Sequence, residues 1–178
     1  NPAMRACGCC GRLRSCERGI SAMRRKDREI TDPGKIREII AACDCCRLGF
    51  CDGGRAYIVP LDFGFVERDG RCSFYFHSAK EGRKIDLIRK TGWAAFELDT
   101  GHEVVSDEIA CEYTARFQSV MGSGRVSLVE TPEEKQAGLT AIMEHVAGPG
   151  DWTFQGAAAN AAAVIRLDVE EWTCKVHA

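Results

Sequence analysis

The chain has 178 residues, enough for one domain with a core of its own, and 24 Lys+Arg against 26 Asp+Glu leave a formal charge of −2. That balance excludes a general nucleic-acid binder, which needs a basic excess, and no run approaches the ~18 apolar residues that cross a bilayer. Eleven cysteines, at 7, 9, 10, 16, 43, 45, 46, 51, 72, 111 and 174, form an odd count without an export signal. They read as mostly reduced thiols in a cytoplasmic protein rather than as a disulfide framework.

Residues 1–22 hold four cysteines and four arginines but few large aliphatics, so they are expected to be an extension that buries little. The folded domain is expected over 23–178, beginning at Met23. Asp32-Pro33 has the form of an N-cap followed by proline at the first helical position. Ile36, Ile39, Ile40 and Cys43 then line one face of a helix running to about Cys46. Arg47 to Asp52 reads as a strand ending in a Gly53-Gly54 turn. Tyr57 to Phe65 follows as a second, with Tyr57, Val59, Leu61, Phe63 and Phe65 on one face. Asp69-Gly70 marks a tight hairpin into a strand from Cys72 to His77.

Ser78 and Glu81 have capping-box spacing, which predicts a second helix from Ala79 to about Lys90. Trp93 to Asp99 reads as strand and the polar stretch Thr100 to Glu112 as loop. Phe117 to Val129 is a long strand in which Gly122 and Gly124 imply a bulge or a close backbone approach. Thr131-Pro-Glu-Glu134 opens a third helix whose expected buried stripe is Leu139, Ile142, Met143 and Val146. A final strand, Ala163 to Trp172, turns Ile165, Leu167 and Val169 inward and Arg166, Asp168 and Glu170 outward. About six short strands joined by hairpins, with a few helices, predict a mainly β, antiparallel architecture. A Rossmann unit is excluded, because Gly122-Ser-Gly124 lacks the third glycine and no helix pattern follows it.

The informative segment is Tyr75 to Lys90. Lys80, Arg83 and Lys84 crowd the start of the expected helix, where the helix dipole disfavours cations. Either the segment is an ordinary surface helix with solvated cations, or an anion compensates them at a helix start, with Gly82 permitting close approach. His77 shares a strand face with Ser73 and Tyr75 and reads as a structural or a functional histidine. Cys7-Gly-Cys9-Cys10 and Cys43-Asp-Cys45-Cys46 each contain C-x-x-C, but their separation is long and Cys43 lies on an apolar face, so no metal site is assigned. His102 and His145 have no evident partners.

Val59-Pro60-Leu61-x-Phe63, Tyr75-Phe-His-Ser-Ala-x-x-Gly-Arg-Lys84 and Ser119-Val-x-Gly122-x-Gly124, in this order, resemble the pyridoxamine-5′-phosphate-oxidase-like split barrels, and within them the nitroimidazole-resistance branch. The resemblance spans about Met23 to Thr173. It implies a homodimeric, antiparallel split β-barrel with flanking helices and FMN bound at the interface between subunits. Carried over by position, Arg83 and Lys84 match the phosphate-binding pair, and His77, Ser78 and Ala79 match the end of the strand beside the flavin. Val59, Pro60 and Leu61 match the strand along the ring system, and Ser119 and Val120 a second flavin-contacting strand. Asp62 departs from the pattern, since an acid facing a phosphate weakens its binding. The implied function is an FMN-dependent oxidoreductase acting on a small substrate, a nitroaromatic being the class that the nitroimidazole-resistance branch implies, with His77 near the reacting face. A non-enzymatic flavin carrier and a cysteine-based metal or redox sensor are the alternatives.

Overall fold

The structure, a computed structural model, describes residues 25–156 and 161–178. The Cys/Arg-rich segment 1–22, with Cys7, Cys9, Cys10 and Cys16, lies outside the described residues. After a 3₁₀ turn at Lys26–Arg28 come β1 (Glu29–Ile30), α1 (Pro33–Ala41), β2 (Cys46–Asp52), β3 (Arg55–Leu61), β4 (Gly64–Arg68) and β5 (Arg71–Ala79). Then follow α2 (Arg83–Thr91), β6 (Trp93–Val105), a 3₁₀ turn at Ala110–Glu112, β7 (Thr114–Leu128), α3 (Pro132–Ala147) and β8 (Ala162–His177).

All strand pairs are antiparallel, in the order β3-β2-β6-β7-β8-β5-β4, with β1 on the far end of β8. The two end strands of this path, β3 and β4, are joined by Asp62 and Phe63 alone. A flat sheet of that order would separate them by about 29 Å at ~4.8 Å per strand, whereas the link spans at most about 11 Å. The sheet must therefore curl until its ends approach. No ladder closes β3 onto β4, so the barrel is split, as expected.

The barrel is filled by Phe63, Phe74, Phe76 and Phe96 with Leu48, Leu98, Val120, Ile165 and Leu167. Asp32 caps α1 by accepting from the Lys35 N–H at 2.7 Å, which stops the chain fraying there and turns Ile36, Ile39 and Ile40 into this core. From α2, Ile85, Leu87 and Ile88 join the same core.

Several expectations fail for physical reasons. The first helix stops at Ala41, and Cys46 already belongs to a strand, so Cys43 and Cys46 are not one helical turn apart. The stretch 57–65 is two strands, because Gly64 packs where a Cβ would collide with the Ala141 backbone, and the chain must turn to pass under α3. Thr100 to Val105 is strand, not loop: it pairs with the start of β7 beyond the barrel, where both faces meet solvent and no apolar alternation is needed. Of the expected α3 stripe Ile142 is buried and Leu139 and Met143 are half-buried, but Val146 is 57% exposed, and Gly138 and Ala141 complete the buried face. Small residues let α3 sit close, so the helix rolls toward them and away from Val146. The glycine reading of β7 holds in both senses: Gly122 and Gly124 each touch β8 backbone, and Glu170 forms a β-bulge opposite them.

Candidate functional site

The segment 75–84 is built differently from its sequence signature. The strand continues to Ala79, which pairs with Ala162, so Ser78 is not a helix cap. Three residues of turn follow, and α2 starts at Arg83 with Gly82 as its N-cap at φ 120°, a conformation that favours glycine. Gly82 has no side chain to satisfy the helix start. The first intrahelical bond in this turn is Asp86 N–H to the Gly82 carbonyl at 3.1 Å, leaving the N–H groups of residues 83–85 without helical partners. Arg83 and Lys84 are thus the first two residues of an uncapped helix, nearer to its free donors than a start at Ala79 would have placed them.

Arg83 is fixed by the β2–β3 hairpin. Its Nε donates to Asp52 Oδ2 at 3.0 Å, its Nη2 lies 2.9 Å from the same oxygen, and its guanidinium stands 4.6 Å above the Tyr57 ring. A guanidinium has five N–H donors, so a side of the fork stays open. Lys84 is half-buried and makes no ion pair with a described residue. Ser78 is the one buried polar residue among those described, and its hydroxyl has no partner. An unpartnered buried hydroxyl costs roughly 1–3 kcal/mol, which makes it a donor awaiting an acceptor.

The other matched residues distribute unevenly. Val59, Pro60 and Leu61 lie on β3, an edge strand, where proline's missing N–H costs no ladder bond. Asp62 is exposed in the link to β4. His77 is exposed on the outer face of β5, and Ala79 is exposed at its end. Ser119 and Val120 lie elsewhere. Val120 pairs with Cys174 and His77 with Val164, ten residues apart along β8, or about 33 Å. The Val120 side chain also points into the core.

A network that the sequence reading missed forms the floor of a groove of about 1560 Å³ between α3 and β4, β5 and β8. Arg166 donates to Glu134 Oε1 at 2.6 Å and to Asp168 Oδ2 at 2.7 and 3.1 Å; Ser73 donates to Asp168 at 2.7 Å and Tyr75 to Glu134 at 3.3 Å. Asp168 and then Glu134 raise the Arg166 pKa above its ordinary value. Burial, and secondarily Glu134, raises that of Tyr75. Glu134 is diverted from the capping box: Thr131 accepts from the Glu134 N–H at 3.3 Å, but the carboxylate turns to Arg166. His145, expected to have no partner, contacts the Cys43 carbonyl at 2.8 Å and packs on Phe63, tying α3 to the end of α1.

The described cysteines are free, and no group of three or more His, Cys, Asp or Glu among the described residues is placed to hold a metal. Cys43, Cys46 and Cys174 are buried, and burial pushes the Cys43 thiol up to about 12. No helix among the described residues is long and apolar enough to cross a membrane.

Known proteins supply the context. Residues 32–176 match the family profile described as pyridoxamine 5′-phosphate oxidase. A candidate 5-nitroimidazole antibiotic resistance protein from Bacteroides thetaiotaomicron is 32% identical, with a TM-score of 0.69 over 83% of this chain and 86% of that one. The flavocytochrome Anf3 from Azotobacter vinelandii (22% identity, TM-score 0.73, 88% of this chain and 72% of that one) shares the fold. So does a FAD and heme binding protein from Mycobacterium smegmatis (14% identity, TM-score 0.71, 84% and 73%). No curated protein matches. With its split antiparallel barrel, and with the profile matched over most of its length, the chain belongs to the pyridoxamine 5′-phosphate oxidase family.

Proposed function

We infer that the chain is a flavoprotein that holds FMN by its phosphate at the start of α2 and acts as an oxidoreductase on a small substrate. The observation that carries this reading is the uncapped helix start, where the free N–H groups of the first turn stand with Arg83 and Lys84 directly after the Gly82 turn. The donor set suits a dianionic phosphate: backbone amides, a half-free guanidinium and a lysine, with Asp62 not buried against them. The isoalloxazine ring system would run along β3 at Val59, Pro60 and Leu61, whose outer edge carries backbone groups that no neighbouring strand pairs. When bound, the flavin supplies the redox chemistry, and the protein contributes binding, orientation and exclusion of water. His77, exposed near the end of β5 with Ala79, is the residue assigned to the substrate side. A nitroaromatic acceptor is the substrate class that the 32%-identical relative favours.

The reading includes a homodimer. The outer face of β3, β2, β6 and β7 carries Ile58 (64% exposed), Trp93 (41%) and Met121 (50%) around the small residues Gly49 and Ala95 and beside the Arg47–Glu97 and Arg47–Asp99 ion pairs, a mixed surface with large apolar side chains exposed among the described residues. A second copy on this face would also account for Ser119 and Val120, which are too far from His77 to serve the same ligand within one chain.

The test is the absorption spectrum of the purified full chain, with the released cofactor identified and FMN, FAD and riboflavin titrated into stripped protein. FMN bound tightly, with turnover of a nitroaromatic by the reduced protein, is the expected result. A colourless protein that binds none of the three would overturn the flavin reading. Tight FMN without turnover of any acceptor would leave a carrier in place of an enzyme.

A further inference from the structure

Arg83 opens α2, and its side chain is held from outside the helix by one face of the β2–β3 hairpin. The ladder pairs Phe50 with Tyr57 and Asp52 with Arg55, so Asp52 and Tyr57 stand on the same face as diagonal neighbours. From there the hairpin meets the guanidinium twice. Nε and Nη2 both reach Asp52 Oδ2, at 3.0 and 2.9 Å, and Cζ stands 4.6 Å from the centre of the Tyr57 ring. The Tyr57 ring is in turn backed by Phe50, with 6.2 Å between centroids, and packs against the core. Asp52 has a cation, Arg55, directly across the ladder, yet its carboxylate turns to Arg83, 31 residues along the chain.

A guanidinium has two forked edges for an oxyanion: a side edge made of Nε and one Nη, and an end edge made of the two Nη groups. Asp52 takes the side edge and Tyr57 covers a face. What is left is the end edge, Nη1 with the second Nη2 hydrogen, to which no described residue supplies an acceptor. As a surface ion pair alone the arrangement would add little to stability. At the first position of α2 the helix dipole also disfavours a cation. The hairpin therefore holds in a set orientation a charge that the helix start does not favour by itself.

We propose that Asp52 and Tyr57 are positioning residues, which fix the Arg83 guanidinium before ligand arrives and present its end edge to the flavin phosphate. The inference rests on the FMN reading above and deepens it. A donor ordered in advance lowers the cost of binding. Tyr57 lies two residues before Val59 on β3, so the strand assigned to the ring system also sets the phosphate donor. The two effects of Asp52 on an anion have opposite signs. As a charge beside the site it repels the phosphate, and its removal would tighten FMN. As the holder of the fork it favours the phosphate, and its removal weakens FMN. The second effect is the one that wins here, because Asp52 meets the phosphate only through Arg83.

The test titrates FMN, and riboflavin as the ligand without phosphate, into the full chain stripped of flavin. Asp52→Asn and Tyr57→Leu should each weaken FMN at least tenfold and leave riboflavin within twofold. Tyr57→Phe, which keeps the ring face, should stay within twofold of the native chain for both ligands. Arg83→Lys keeps the charge without the fork and should lose at least as much FMN affinity as Asp52→Asn. A second readout needs no flavin. In the isotopically labelled, ligand-free chain the Arg83 Nε–H signal, identified by its loss in Arg83→Lys, should be as ordered as the backbone amides. It should lose that order in Asp52→Asn and Tyr57→Leu while their amide spectra stay native. Asp52→Asn is nearly isosteric and covers the case of a misfolded Tyr57→Leu. Tighter FMN in Asp52→Asn, equal losses of FMN and riboflavin, or an Nε–H as ordered in the variants as in the native chain would each overturn the proposal and leave the flavin reading standing. A native chain that binds neither flavin overturns the flavin reading instead. The positioning role is then decided by the Nε–H order together with inorganic phosphate, whose binding the same variants should weaken; unchanged phosphate binding overturns it.

Discussion

Replacing Arg83 and Lys84 together by alanine interrogates the helix start most directly. Arg83 spends Nε and one Nη2 hydrogen on Asp52, which leaves about three N–H donors toward the mouth of the turn. One charge-assisted hydrogen bond from each of the two side chains, taken at the low end because both are solvent-accessible, is ~1.5 kcal/mol apiece. The pair then contributes ~3 kcal/mol, or roughly 150-fold in Kd for FMN. Loss of the Asp52 pair is a half-exposed surface ion pair and adds at most ~1 kcal/mol to stability. Alanine is a good helix former, so α2 should survive. Flavin fluorescence quenching on titration into stripped protein gives both constants. FMN should weaken about 150-fold and riboflavin, which lacks the phosphate, by no more than threefold. Equal losses for the two ligands would show that these cations do not hold the phosphate.

Further outcomes follow from the same geometry. Gly124→Ala places a Cβ on the Asp168 carbonyl, backbone that cannot step aside, and should cost ~3 kcal/mol by urea unfolding. Gly49→Ala, whose Cβ would meet Ala95 Cβ at 3.8 Å and the Ala95 carbonyl oxygen at 3.9 Å, both ordinary contacts, should be neutral or slightly stabilising in the same assay. His77→Gln should lower turnover more than FMN affinity; lost flavin with unchanged turnover per bound flavin would make His77 a scaffold residue. Burial raises the Cys43 thiol from the ordinary 9.0 to about 12, so the native state keeps a proton that the unfolded chain loses first. Its contribution is therefore complete below pH 9 and is lost as pH rises toward 12, seen as a falling urea midpoint across that window. At pH 8 iodoacetamide should label exposed Cys51 and Cys111 in the native protein and reach Cys43, Cys46 and Cys174 only after unfolding.

The barrel was legible because its signals are local. Asp32-Pro33 caps a helix, Gly53-Gly54 and Asp69-Gly70 take positive φ in their hairpins, and Gly122 and Gly124 mark close approach to β8. What misled was chemistry with two uses. Ser78 and Glu81 have the spacing of a cap, yet β8 pairing extends the strand through Ala79 and leaves Gly82 to begin the helix. Thr131 and Glu134 have the same signature, and there the cap forms, although the glutamate side chain is claimed by Arg166 from β8. Arg166 and Asp168 read as solvated outward residues because nothing in the β8 pattern tells that α3 will lie over that face. The roll of α3 onto Gly138 and Ala141 was hidden for a related reason: a hydrophobic stripe records size, whereas close packing here selects small residues.

The separation of the matched residues bears on how many chains one site needs. His77 and Ser119 lie on strands that flank β8, but their rows, at Val164 and Lys175, are eleven residues apart along it, roughly 36 Å of extended strand, longer than a single flavin mononucleotide contact set would bridge. If both belong to flavin sites, each site draws on two chains, and flavin affinity must be linked to assembly. Ile58→Lys tests this linkage cleanly. Ile58 is 64% exposed on an edge strand, outside the core, so lysine there costs the monomer little while placing a charge in the proposed interface. Sedimentation velocity should show the variant shifted to monomer, and FMN affinity should fall at least tenfold at concentrations where the native chain is dimeric, recovering as protein concentration rises. A folded Ile58→Lys monomer that binds FMN as tightly as the native chain would mean that one chain completes the site alone, and Ser119 and Val120 would then drop out of it.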